Sequence, residues 1–522
     1  MASPTPRQSG EQAESPSPQI EKAQQPQTSH RDLEKQESIQ TTASISERPN
    51  LVHVQSHVSA HDIPHFSHHE AGDEIYDRFP HHKKVVIVCV LSFCSFLAPI
   101  SSTAVLAATP NVAEYYHTTG TILNLSSALY QLFMGLSPMF WGPIGQVYGR
   151  RWTQILCAAF FTIFSVGTAL SPNLASFYVF RLLTAFQGTS FLVVGSSCIG
   201  DIYRPTERAT ALAWFLSGTL IGPAFGPFIA GVIITYRPWQ DIFWLQTGLG
   251  GAATIAVLLF LPETAHKKRS VELVGLSRRE KASKLWEWMN PARVIILYRF
   301  PNLVLAGIAS GALVFNMYSL LAAIRYTLNP RFHLSSPMQS GLFYIAPGCG
   351  YLLGTFFGGR WADRVVRKWI VKRGGVRVPE DRLRSCIVAL GVVIPGCMLI
   401  YGWSIEKAVG GIPLPVIVMF LQGVAQLFCF PSLNTYCLDV MQKRSAEVVA
   451  GNYVFRYMFG CIGTAVVLPA VEKIGVGWFS TLSAGILVLS AIGVWSITQW
   501  GQGWREQILK HDEEKEHDRD HH

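Results

Sequence analysis

Long apolar runs recur from about residue 84 onward, separated by short polar or glycine-rich turns. A hydrocarbon core ~30 Å thick is crossed by about 20 helical residues at ~1.5 Å each, so every run is long enough to span a bilayer. The pattern predicts spans over 84–108, 121–142, 152–171, 175–199, 210–234 and 239–261, then 302–324, 338–358, 385–404, 412–436, 446–471 and 477–499. Outside them, residues 1–83 are rich in Ser, Pro, Gln, Glu and His, and 500–522 end in a polar stretch. Such composition buries too little apolar surface to fold, so both ends read as solvated tails. The expected fold class is an all-α membrane protein. Its twelve transmembrane helices form two pseudo-symmetric six-helix bundles, 84–261 and 302–499, joined by a central loop, 262–301.

Composition supports that division. Only 15% of the 522 residues are charged, against about 25% in a soluble domain. The formal charge of +9 does not indicate nucleic acid, because Lys and Arg sit in short loops between apolar runs with no continuous basic face; anionic lipid headgroups are the expected partner. The ten cysteines lie within or beside the apolar runs, without the paired loop spacing of a disulfide framework or zinc site. Tail histidines such as His53, His57, His61, His65, His68, His69, His521 and His522 are too loosely spaced to predict a metal. No metal or cofactor is expected. The first run starts near Lys84 and is long enough to span, and the tail carries Glu11, Glu14 and Glu21, so insertion through the first span is expected rather than a cleaved leader.

Basic residues orient the spans, since cytoplasmic loops carry the Lys/Arg excess. An inside N-terminus places Arg150, Arg151, Arg204, Arg208, eight basic residues in 262–298, nine in 359–384, and Lys443 and Arg444 on the cytoplasmic side. The opposite side receives Arg237, Arg325, Arg331, Lys407 and Lys473. Both termini are expected in the cytoplasm.

The six-plus-six arrangement predicts an internal duplication. The loop between spans 2 and 3 reads Gly145-Gln-Val-Tyr-Gly149-Arg150-Arg151, and its counterpart between spans 8 and 9 reads Gly358-Gly-Arg360-Trp-Ala-Asp363-Arg364. Span 5 carries Gly218, Gly222 and Gly226, and span 8 carries Gly350, Gly354 and Gly358. Glycines four apart share a helix face and let backbones approach. The stripes fit either ordinary helix packing or, since they occur at mirrored positions, moving surfaces between the halves.

These motifs resemble the major facilitator superfamily, specifically the fungal twelve-span branch of drug:proton antiporters, over roughly residues 76–505. Tyr-Val-Phe-Arg181-Leu-Leu-Thr-Ala-Phe-Gln187-Gly188 is similar to the branch's Arg-and-Gly motif, associated with proton coupling. Gly218-Thr-Leu-Ile-Gly222-Pro223-Ala-Phe-Gly226-Pro227 resembles the exporters' Gly-Pro motif, and Leu261-Pro-Glu-Thr264 and Asn452-Tyr-Val-Phe-Arg456-Tyr457 match as well. Arg331-Phe-His-Leu, Ser340-Gly-Leu-Phe-Tyr344-Ile-Ala-Pro347-Gly, Ile370-Val-Lys-Arg-Gly374 and Pro379-Glu-Asp-Arg382-Leu resemble fungal itaconate exporters and relatives that export organic acids or secondary metabolites. One departure stands out. Where the family places an Asp and an Arg in the loop between spans 2 and 3, this chain has Gln146 and Val147, so the charge lock of that gate is incomplete, whereas Asp363 and Arg364 keep the pattern in the second half.

A charge near mid-bilayer costs at least ~2.5–3.5 kcal/mol and needs a function or a partner. Arg181 and Arg456 lie within spans, while Glu114, Asp201, Asp241, Asp439 and Glu447 lie at span ends. A guanidinium fork recognises carboxylate in a bidentate way. Arg181 is therefore either an anion ligand or a gate element holding carbonyls and side chains of neighbouring helices. The resemblance implies that spans 1, 4, 7 and 10 line a cavity flanked by 2, 5, 8 and 11. Candidate contacts are then Ser101, Ser102, Gln131, Thr184, Gln187, Asn316, Tyr318, Tyr344, Gln422, Gln426, Asn434 and Asn452, with Pro99, Pro138, Pro223, Pro347 and Pro431 as hinges.

The expected function is efflux of a small organic acid such as itaconate by alternating access. The transporter is expected to act as a monomer in the plasma membrane, with protons as a second partner. The absence of an acid in the span interiors favours potential-driven or weakly proton-linked export. The alternative is a broad drug, toxin or secondary-metabolite exporter coupled to proton antiport; such exporters commonly place a cavity acid against cationic drugs. An enzyme would need a catalytic constellation, and His117, His266 and His333 are isolated in the sequence.

Overall fold

In the computed structural model, the chain is described over residues 73–204, 208–265, 269–273, 275–290, 292–334, 336–441 and 445–520. The tail histidines and most of the expected N-terminal tail lie outside these ranges. Six helices come first: α1 (His81–Tyr115), α2 (Gly120–Val147), α3 (Arg150–Ala169), α4 (Leu174–Ile202), α5 (Arg208–Tyr236) and α6 (Gln240–Phe260). A second group follows: α7 (Pro301–Phe332), α8 (Pro337–Lys372), α9 (Pro379–Glu406) and α10 (Pro413–Val440). The helix Ser445–Asp520 then breaks at Gly475, whose φ of 81° divides it into α11 (445–474) and α12 (476–520).

Among the described residues, nine helices are long and apolar enough to cross a membrane, and the pair Trp214–Pro223 and Phe225–Tyr236, bent by 43°, makes a tenth. One of the nine, Glu447–Gln507, is 61 residues long and spans twice across the Gly475 break; α2 supplies 28 residues of more polar composition. The predicted twelve segments are all present as helices. Leu259, Leu489, Ile163 and Phe356 stand more than half exposed. A helix surface this apolar suits a lipid solvent.

Local chemistry sets the boundaries. Asn173 and Ser176 form a capping box that opens α4, and Ser336 with Gln339 does the same for α8. The turn from α2 to α3 passes through Gly149 at φ 103°, a conformation that L side chains rarely adopt. At the second break, Glu406 at the end of α9 accepts from the amides of Val476 (2.9 Å) and Gly477 (3.4 Å), satisfying orphan donors at the start of α12. Two departures from expectation are local. The C-terminal stretch read as a solvated tail continues as helix to Asp520, and the central loop contains a twelve-residue helix, Arg278–Met289, capped by Ser277 and Glu280.

The two groups of six pack by the same scheme. The pairs α1·α5, α2·α4 and α3·α6 have counterparts in α7·α11, α8·α10 and α9·α12. Across the seam, α2 meets α11 and α5 meets α8. Here the structure corrects one expectation. Atoms added at Gly218, Gly222 and Gly226 would run into Ser92, Pro99, Ile100 and Thr103 of α1, and those at Gly350, Gly354 and Gly358 into Phe420, Val424 and Leu427 of α10. Both stripes therefore seal helices within one half and are not sliding surfaces between halves. The seam uses other glycines: Gly135 against Tyr457, and Gly231 against Pro337 and Gly341.

Candidate functional site

Arg181 sits seven residues into α4 and is 1% exposed. Its guanidinium lies over the Tyr130 ring of α2 at 4.8 Å and near Phe177 at 6.0 Å, and Nη2 donates to Ser127 Oγ at 3.4 Å. Its Nε and Nη1 have no partner. Ring faces offset part of the cost of burying a cation, but they do not satisfy N–H groups directed elsewhere.

Arg456 repeats this arrangement in the other half. It lies over Phe430 of α10 at 4.7 Å and Tyr453 of α11 at 5.5 Å, and Nη2 donates to Asn434 Oδ1 at 2.6 Å. Asn452 Nδ2 donates to the same oxygen at 3.1 Å, while Arg456 Nε and Asn452 Oδ1 are unpartnered.

The two arginines are linked by stacked aromatic rings that cross the seam. Tyr453 and Tyr457 stack at 6.0 Å, and both pack with Tyr130, Met134, Ala98 and Ala185 of the first half. Tyr130 donates to Ser101 Oγ at 2.8 Å, and the Ser102 and Tyr318 hydroxyls lie 3.3 Å apart. Gln131 and Gln187 are buried beside this layer, each with an unpartnered carbonyl oxygen.

A separate amide cluster fills the second half. Asn316 Oδ1 accepts from Gln422 Nε2 (2.5 Å) and Gln426 Nε2 (3.3 Å), while Asn316 Nδ2 donates to Ser483 Oγ at 3.0 Å. Gln422 and Gln426 keep unpartnered carbonyl oxygens. Tyr344 is placed differently: its hydroxyl donates to the Leu321 carbonyl at 2.9 Å, tying α8 to α7. The sequence pointed to both arginines, but not to Tyr130, Tyr453 or the seam arginine Arg325. Tyrosines at helical spacing look like core, and only tertiary contacts show which rings cover a cation.

The Major Facilitator Superfamily profile matches residues 91–467. The chain belongs to the major facilitator superfamily. It is similar to the "MFS antiporter QDR3" of Candida albicans, at 24% identity over 82% of this chain and 79% of the relative. It is also similar to the "MFS-type transporter tndD" of Aspergillus flavipes (25%; 90% and 92%) and to "Citrate exporter 1" of Aspergillus niger (23%; 82% and 89%). Among solved structures, the human organic anion transporter MFSD10 matches with a TM-score of 0.60 at 17% identity, covering 80% of this chain and all of that one. The xylose transporter XylE of E. coli matches at 0.59 and 14%, covering 80% and 98%. At these identities the structures share the fold alone. This chain is thus a membrane transporter, not an enzyme.

The transporter's two charge clusters occupy the face from which α1 and α7 start. In the first half, Arg150 Nε pairs with Asp201 at 3.2 Å, its backbone N–H donates to Glu263 at 2.9 Å, and Arg151 donates to the Leu258 carbonyl at 2.9 Å. Beside Gln146 and Val147, the two arginines of this motif are thus held from α4, from the end of α6 and from the segment after it. In the second half, Asp363 pairs with Arg382 (3.4 Å), and Asp439 takes Arg382 (3.6 Å) and Arg377 (3.0 Å). Arg364, the expected partner in the motif, is exposed. Asp201 and Asp439 end α4 and α10 in equivalent places, so each half clamps its own base. The bend of α5 falls at Pro223, within the Gly-Pro motif.

Proposed function

We propose that the transporter exports a small organic anion, a di- or tricarboxylate of the itaconate or citrate type, by alternating access between its two six-helix units. The observation that carries this reading is the unpartnered pair of donors, Nε and Nη1, on fully buried Arg181. A second buried arginine, Arg456, lies across the same aromatic layer, and no Asp or Glu lies within the span interiors. A carboxylate would satisfy both free donors in a fork and neutralise a charge that the protein leaves uncompensated. The named citrate exporter among its relatives supports the substrate class. The positively charged loops support a cytoplasmic position for both termini. The plasma membrane, a monomeric state and the segment limits 84–261, 262–301 and 302–499 belong to the same reading.

A second reading, export of apolar secondary metabolites or drugs against protons, draws on the antiporter and metabolite-cluster relatives and on the rings of Tyr130, Phe177, Phe430, Tyr453 and Tyr457. The deciding experiment loads proteoliposomes with labelled itaconate, citrate or a neutral drug and compares wild type with Arg181→Ala and Arg456→Ala. Loss of acid efflux in both variants supports the anion reading. Unchanged acid flux with altered drug flux replaces it with the second.

A further inference from the structure

Several arginines of the described residues find a carboxylate: Arg204 pairs with Asp77, Arg237 with Asp241, Arg373 with Asp381 and Arg505 with Glu380. Arg181 and Arg456 do not, and a third arginine on the seam shares this trait. Arg325, near the C-terminal end of α7, donates to the Ala107 carbonyl of α1, and its Nη1 and Nη2 both lie 3.4 Å from Asn111 Oδ1. Among the described residues it has no carboxylate within ion-pairing distance. Its partners belong to the other half, so the bonds bridge the seam.

The same end is joined at several further points. Asn124 of α2 donates to the Thr464 carbonyl of α11, Gly120 abuts Tyr326, and Gly231 of α5 abuts the Pro337 carbonyl. None of these contacts carries net charge. Arg325 is therefore the cation of this closure, held by dipoles alone. A carbonyl and an amide oxygen hold a guanidinium in a closed, part-buried seam, but they compete poorly with a carboxylate once the seam opens.

We infer that Arg325 is both the latch of this end and the exit-side anion ligand: separation of α1 from α7 frees its fork to take the substrate carboxylate passed on from Arg181. The inference rests on the anion-export reading. It gives the path three guanidinium groups, Arg456, Arg181 and Arg325, each masked by neutral groups until the anion arrives. It also links opening to cargo, because an anion at the exit stabilises the unlatched seam.

The test separates latch from ligand with two variants. Asn111→Ala weakens the latch and keeps the cation; Arg325→Gln removes both. A cysteine at Ala322, buried one turn below Arg325, reports opening through labelling by an impermeant maleimide, in a background with exposed Cys89 and Cys349 changed to serine. Labelling should rise at least ~5-fold in both variants, since loss of a charge-assisted bond shifts a two-state seam by that order. The half-saturating concentration of itaconate or citrate added from the exit side should rise ~10-fold in Arg325→Gln, with partial rescue in Arg325→Lys, and should fall in Asn111→Ala, whose weaker latch populates the open seam while keeping the cation. Equal affinity shifts in both variants would reduce Arg325 to a latch and overturn the ligand role. Unchanged labelling in both would overturn the latch. Wild type that moves no acid from either side sinks the anion reading itself, and the exit-ligand role with it, whereas the labelling still reports on the latch.

Discussion

Asn434 offers one side-chain oxygen to two donors, Arg456 Nη2 at 2.6 Å and Asn452 Nδ2 at 3.1 Å. A neutral acceptor orients the guanidinium without cancelling its charge. Asn434→Asp keeps the shape and supplies a carboxylate at ion-pairing distance, so the arginine becomes internally neutralised. Acid efflux should fall ~10–100-fold in this variant, by loss of 1.4–2.8 kcal/mol of substrate attraction, without a loss of thermal stability. Full activity in Asn434→Asp would mean that the charge of Arg456 is not offered to substrate.

The glycine stripes allow a controlled comparison of neighbours. A methyl group at Gly358 would lie within 3.0 Å of the Leu427 backbone carbonyl group of α10, whereas Gly359 has nothing within 4 Å. Overpacking costs about 1–3 kcal/mol where backbone must move. Gly358→Ala should therefore lower the melting temperature and the yield of folded protein, and Gly359→Ala should match wild type. Since Gly358 faces its own half, the defect should appear in folding before it appears in substrate affinity.

Asp439 accepts a hydrogen bond from Arg377 and forms an ion pair with Arg382 Nε at 3.6 Å, and Arg382 in turn holds Asp363. Exposed ion pairs contribute about 0–1 kcal/mol each, but one acid serving two bases is a node. Asp439→Asn should reduce transport more than Arg377→Gln does, as measured by initial efflux rate, because it releases both arginines from α10 and leaves Arg382 with Asp363 alone. Asp201→Asn should act similarly on Arg150 in the first half.

The spans were legible because a bilayer demands long apolar segments with every backbone group paired internally. The break at Gly475 was anticipated within a few residues, and Arg181 and Arg456 stood out as charges in apolar runs. Pairing between helices was not legible. A glycine at every fourth position signals that some backbone comes close, but whether it belongs to α1 or to α8 depends on tertiary geometry. Tyr344 looked like a cavity residue and instead ties α8 to Leu321. Arg325 was read as one of several basic loop residues, because its place on the seam depends on Ala107 and Asn111, more than 200 residues away.

On the anion-export reading, span interiors without acids favour a potential-driven mechanism. A proton antiporter needs a titratable group that alternates between the two sides, and the carboxylates here lie at helix ends: Asp201 and Asp439 at the charge clusters, Glu406 at the α12 cap. An anion leaving an inside-negative compartment gains ~2.3 kcal/mol per charge for each 100 mV, enough for an almost fifty-fold gradient without any proton. Efflux of a dicarboxylate from loaded proteoliposomes should therefore accelerate under an inside-negative potassium diffusion potential and respond weakly to a pH gradient at zero potential. The dependence should steepen from mono- to dicarboxylate, because each added charge adds the same electrical work. Flux that ignores the potential and follows the pH gradient would require an alternating proton carrier at a helix end, with Asp201 and Asp439 the first residues to neutralise.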